Sequence, residues 1–276
     1  MPKQSLHRRR DLALGPGSEL FYDNPVEIVR GEGCYLFDRD GNRFLDLYNN
    51  VPCVGHGNVA VADAMATQQA TLNVHSRYLH EGIVAYAERL ADRHHEGIES
   101  VVFCCTGTEA NAVALAMARG VTGQRGIVCS DAAYHGNVGL VAELTGAGRG
   151  SHSDSAIRGF PFPDSYRPLS AGLSEAELRD AYLEQVAAAI AALKREGHGL
   201  AAFIVCSIFA NEGLPSVPAG FLSAATALVH REGGLVIADE VQCGFGRTGY
   251  WWGYEAMGFY PDIVVMGKPM GNGLPL

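Results

Sequence analysis

Ala201-Ala202-Phe203-Ile204-Val205-Cys206-Ser207, a helical stretch from Ala219 to Glu232, and then Leu235-Val236-Ile237-Ala238 decide the fold. Both flanking runs are continuously apolar, the mark of strands covered on both faces, and a strand–helix–strand order implies a parallel pair. The alternation continues outward. Upstream, Val101-Val102-Phe103-Cys104-Cys105 and Gly126-Ile127-Val128-Cys129 read as strands, with an alanine-rich helix from Glu109 to Arg119 between them. Ser174 opens a long helix, Glu175 through Arg195, and Glu177 completes a capping box. Downstream, residues 262–266 read as a further strand. The pattern predicts an α/β fold, a mostly parallel central sheet flanked by helices. Residues 146–173, rich in Gly, Ser and Pro, show no period.

The beginning of the chain reads differently. Glu27–Arg30, Cys34–Phe37 and Arg43–Leu45 are short strand-like runs separated by Gly31-Glu32-Gly33 and Asp40-Gly41, the turn chemistry of an antiparallel ribbon. Helices are expected from about Val59 and over Ile83 to Asp92. The division expected is an arm and ribbon over residues 1–55 and a large domain over 56–276.

Composition excludes several classes of function. A chain of 276 residues, 47% hydrophobic and 18% charged, is not disordered. Its net charge of −9 argues against nucleic acid or an anionic membrane as partner. No apolar run approaches the ~20 residues of a spanning helix. The basic start, Met1 to Arg10, is followed by no apolar stretch and reads as an arm on a cytoplasmic protein. Seven cysteines in no C-x-x-C spacing fit reduced thiols rather than a metal site.

In a doubly wound sheet, ligands sit beyond the carboxyl ends of the strands. Four such positions carry chemistry. Thr106-Gly107-Thr108 precedes a helix, where backbone N–H groups and hydroxyls suit a phosphate; the competing reading is ordinary N-capping. Tyr134-His135-Gly136 sets an aromatic ring beside a glycine that permits close approach of a flat ligand, or is simple packing. Asp239 ends an apolar strand and so requires a protonated nitrogen or hydrogen bonds; Arg247 is the structural candidate. Glu240 is expected to point the opposite way, toward a surface. Lys268 follows the last strand. Only three lysines exist, and Lys3 and Lys194 read as solvated, whereas Lys268 lies among glycines and apolar residues. Desolvation would make its amine nucleophilic toward carbonyls; the alternative is an exposed strand-end lysine. Phosphate cradle, aromatic ring, acid and amine together are the four needs of pyridoxal 5′-phosphate.

Thr106-Gly107-Thr108-Glu109-Ala110-Asn111, Tyr134-His135-Gly136, Ala238-Asp239-Glu240-Val241-Gln242, Gly244-Phe245-Gly246-Arg247-Thr248-Gly249 and Met266-Gly267-Lys268 occur in this order. In them the chain resembles class III (ω-type) aminotransferases of pyridoxal-phosphate fold type I. Asn73 to His80 and Pro163 to Arg167 are similar to the branch of alanine–glyoxylate aminotransferases and phosphoethanolamine phospho-lyases. The resemblance implies that Lys268 carries the cofactor as a Schiff base and shuttles protons, and that Asp239 pairs with the ring nitrogen. It further implies that Tyr134 stacks on the ring beside His135, that Gly107 and Thr108 with Thr106 hold the phosphate, and that Gln242 contacts the ring oxygen. Transamination between an amino donor and a keto-acid acceptor follows from it, as does a homodimer. Phospho-lyase elimination on an O-phosphorylated amine is the alternative, with Arg77 as the candidate for the additional anion site, and an inactive fragment is the third reading. Two departures are visible. Cys206-Ser207 stands where the family has a Glu-Pro-type pair, so substrate class does not carry over. The family's small C-terminal domain lies beyond Leu276 and is expected to be missing from this chain.

Overall fold

The computed structural model describes residues 5–15, 17, 20, 22–145 and 156–275. The chain divides into two compact units, one of residues 1–49 and 54–71, the other of residues 50–53 and everything from Leu72 onward. The helix after residue 58 therefore groups with the ribbon, whereas the sequence division at residue 55 assigned it to the large domain.

In the first unit, α1 (Leu6–Leu14) forms where only a basic arm was expected, with Ser5 as N-cap. A three-stranded antiparallel sheet follows in the order β1 (Ile28–Glu32), β2 (Tyr35–Asp38), β3 (Arg43–Leu45), and then α2 (Val59–Thr71). Its turns are set by local chemistry. Gly33 takes φ +56, and the Asp38 carboxylate accepts from the backbone N–H groups of Asp40 and Asn42. Gly31 is required for a different reason: a Cβ there would lie 2.6 Å from that of His56.

The second unit is the layered α/β body. After α3 (Glu81–Ala91) and α4 (Gly107–Thr122) come β4 (Ile127–Ser130), α5 (Gly139–Leu144), β5 (Ile157–Phe160), α6 (Glu175–Arg195), β6 (Ala202–Cys206), α7 (Phe221–Arg231), β7 (Leu235–Asp239), α8 (Gly253–Met257) and β8 (Ile263–Val265). The five strands pair in parallel in the order β5-β4-β6-β7-β8. Alternate residues of each strand enter two cores. Val128, Phe203, Val205, Val236 and Ala238 pack with Leu178, Tyr182, Phe221 and Leu222 of α6 and α7. Ile127, Cys129, Ile204, Ile237 and Val265 pack with Leu115, Ala118, Val141 and Leu144 of α4 and α5. Burial on both faces is why these strands read as unbroken apolar runs. The capping box of α6 forms as expected, Glu177 N donating to Ser174 Oγ (3.3 Å) and Ser174 N to Glu177 Oε2 (2.8 Å).

Two expectations fail. Residues 101–105 are not a strand: none of the described residues pairs with them in a ladder, and Val102 is 61% exposed. Residues 98–104 instead line, together with 262–266, a cavity of about 340 Å³. An apolar run becomes a strand only where a partner ladder exists. Conversely β5 arises inside the stretch that showed no period, because β4 supplies its ladder on one side; residues 146–155 of that stretch lie outside the described residues. No described helix is long and apolar enough to cross a membrane.

Candidate active site

The register of the parallel sheet builds the floor of the site. Cys206 is paired with Asp239 and Asp239 with Val265, so β6, β7 and β8 end at one level. The loops beyond them converge with the start of α4 and the segment after β4 on a cavity of about 200 Å³. Its lining includes Thr106, Gly107, Thr108, Asn111, Tyr134, His135, Gly136, Cys206, Asp239, Gln242 and Lys268. All eight residues singled out for the cofactor therefore share one small space, although 162 positions separate the first from the last.

Thr106 is the N-cap of α4, its Oγ1 accepting from Glu109 N (3.1 Å), while Glu109 Oε2 accepts from Cys105 N (2.8 Å). That confirms capping for Thr106 and leaves the first N–H groups of a 16-residue helix facing the cavity with the positive end of its dipole. Gly136, at φ +146, allows the chain after β4 to touch this cradle. A Cβ there would sit 2.7 Å from Thr108 Oγ1, so no other residue fits without displacement. Tyr134 is half-exposed, with its carbonyl accepting from Asn211 Nδ2 (3.5 Å).

Asp239 is 5% exposed and satisfied by three donors. Oδ2 accepts from Asn111 Nδ2 (2.9 Å) and from His135 Nδ1 (2.7 Å), and Oδ1 accepts from Val241 N (3.0 Å). A carboxylate has about four acceptor positions, so one remains on Oδ1. Arg247 does not pair with it: its guanidinium donates to the carbonyls of Gln242 and Asn50, both at 2.6 Å. Lys268, three residues beyond β8, donates to Gln242 Oε1 (2.9 Å). Burial pushes its amine below the usual lysine range, against the opposing pull of the Asp239 charge.

Three results depart from the sequence reading. Glu240 does not reach the surface; it is fully buried, accepting from Ser207 Oγ, from Gly253 N (2.7 Å) and from Tyr254 N (2.9 Å), and burial pushes its carboxyl upward. Asn111 is a site residue that sequence reasoning assigned no role. The signal was present: with Ala114, Leu115 and Ala118 it forms the buried stripe of α4, where a polar side chain needs partners. Arg77 is exposed and is not among the residues lining the cavity.

The family model of class-III aminotransferases matches residues 21–276, and the chain belongs to that family. It is 36% identical over 284 residues to the Drosophila melanogaster protein "Alanine--glyoxylate aminotransferase 2-like", covering all of this chain and 58% of that one. It is 32% identical to "Ethanolamine-phosphate phospho-lyase homolog 1" of Caenorhabditis elegans, covering 99% and 62%. Among solved structures, an Arthrobacter phospholyase in complex with phosphoethanolamine is 43% identical with a TM-score of 0.92, covering 98% of this chain and 64% of that one. A taurine:2-oxoglutarate aminotransferase from Bifidobacterium kashiwanohense, in complex with PLP and glutamate, is 25% identical with a TM-score of 0.84. The chain spans about three-fifths of the length of the curated relatives it matches.

Pyridoxal 5′-phosphate is the cofactor of this family. The residues fit it on their own chemistry: a helix N-terminus with a close-packed glycine for the phosphate, an acceptor left open on a buried carboxylate, and a desolvated amine.

Proposed function

We propose that this protein is a pyridoxal-phosphate-dependent aminotransferase, moving an amino group from an amine or amino-acid donor to a keto acid. The observation that carries the reading is the convergence of Lys268, Asp239 and the α4 N-terminus on one cavity. In this proposal the N–H groups of Gly107 and Thr108, beside Thr106, hold the phosphate. Asp239 Oδ1, through its remaining acceptor position, would hold the ring nitrogen, and Tyr134 and His135 would hold the ring. Gln242 orients the Lys268 amine through the hydrogen bond it accepts, and also serves as a contact for the ring oxygen. Bound there, the cofactor supplies an aldehyde and an electron-withdrawing ring. Lys268 would hold the aldehyde through its amine, and its Nζ would be the group that moves a proton at the substrate α-carbon. Lys268 and Asp239 are thus the two residues on which catalysis depends.

A second reading rests on the 43% identity to a phospholyase: elimination of phosphate from an O-phosphorylated amine by the same residues. Inorganic phosphate released without consumption of a keto acid would select it. The cofactor-binding large domain, a homodimer and a cytoplasmic location complete the proposal. Tyr78 and Leu79, 70% and 101% exposed, support a covering partner, and seven free thiols suit a reducing compartment.

The test is reconstitution of the full-length protein with pyridoxal phosphate, followed by borohydride reduction and peptide mapping. The expected label is on Lys268, lost in Lys268→Ala and kept in Lys194→Ala. A label retained in Lys268→Ala would overturn the proposal.

A further inference from the structure

We infer that Asn111 is a positioning residue that fixes the plane of the Asp239 carboxylate, and so the direction in which its open acceptor position points. The inference rests on the cofactor reading above. Asn111 is 1% exposed, and its Nδ2 donates one proton to His135 O (2.8 Å) and the other to Asp239 Oδ2 (2.9 Å). Both partners are pure acceptors, a carbonyl and a carboxylate, so the amide has only this orientation; turned over, its oxygen would face two oxygens. Its own Oδ1 has no partner among the described residues, so within them Asn111 serves by donation alone.

The consequence falls on Asp239. Asn111 and His135 both donate to Oδ2, which fills that atom, while Oδ1 receives only Val241 N. Rotation of the carboxylate about its terminal bond would break two side-chain bonds at once. The direction in which the open acceptor position points is therefore fixed. One planar amide on α4 also ties together the strand end that carries the acid and the segment after β4 that carries Tyr134. Without it, His135 would still hold Oδ2, but the carboxylate could turn, and a buried carbonyl would lose its donor.

The experiment is a pH titration of the visible absorbance of the cofactor-loaded, full-length protein, with borohydride fixation on Lys268 as a separate readout. Asn111→Ala and Asn111→Ser are expected to keep the Lys268 label and to move the titration midpoint by about one pH unit. A wild-type midpoint in labelled variants would overturn the inference. Loss of the label in a folded variant would make Asn111 a direct cofactor contact and overturn it as well. Failure of both variants to fold would mark Asn111 as structural, with the same result. If the unsubstituted protein takes no label on Lys268, it is the cofactor reading that fails, and this inference falls with it.

Discussion

Asp239 and Glu240 are consecutive, both acidic and both buried at the end of one strand, yet they occupy two different regions. On the cavity side, the donors around Asp239 come from α4, from the segment after β4 and from its own turn, and they leave one acceptor position open. On the opposite side, Glu240 is enclosed by Ser207 and by the first N–H groups of α8, and it is not among the residues lining the cavity. Burial alone therefore does not distinguish a carboxylate that lines the cavity from one enclosed in the core. What distinguishes them is an unfilled acceptor position that faces open space.

The largest effect that would break this comparison is kinetic. Asp239→Asn keeps the shape but replaces an acceptor with a donor, and turnover should fall by about 10²-fold or more while the Lys268 label persists. Near-normal turnover, measured with any accepted donor, would move the acid's role elsewhere. Next in size is Glu240→Ala, which strands three buried donors. It should cost about 2–4 kcal/mol of stability by denaturant titration, with fixation on Lys268 unchanged under folding conditions. A variant of full stability that no longer takes the label would reverse the two assignments.

The smallest effect concerns His94, which contacts the two aromatic residues on either side of Gly253. Its ring stacks on Trp252 at 4.1 Å and hydrogen-bonds the Tyr254 hydroxyl at 3.1 Å. Burial first, and then the charge of His95, lowers its pKa to about 4. The folded state thus binds fewer protons than the unfolded chain near pH 5. The stabilisation is full above about pH 6.5 and is lost as the pH falls through about 4, with a size of order 1 kcal/mol after allowance for solvent screening. Thermal scans between pH 7 and 4 should show it, and His94→Gln should flatten that slope. An unchanged slope would assign the titration to another group.

Much of this was legible beforehand. Buried parallel strands announce themselves by composition, Ser174 and Glu177 by capping chemistry, and the residues that line the cavity by type and order. What escaped depends on partners distant in the chain. Residues 101–105 have the composition of a strand without its ladder, and β5, with Arg158 and Gly159 at its centre, has the ladder without the composition. Glu240 was assigned to a surface by strand alternation, which takes no account of Gly253 and Tyr254 folding back over it. Asn111 lay within a quoted motif, but its partners, His135 and Asp239, are 24 and 128 positions away.

The alignment of Asp239 opposite Cys206 and Val265 has a further consequence. Side chains alternate along a strand, so a slip of β7 by a single step would present Glu240 to the cavity and turn Asp239 away from it. Ladder bonds along the strand thus choose which acid faces the cavity, and a misaligned sheet with every residue intact would present the other one.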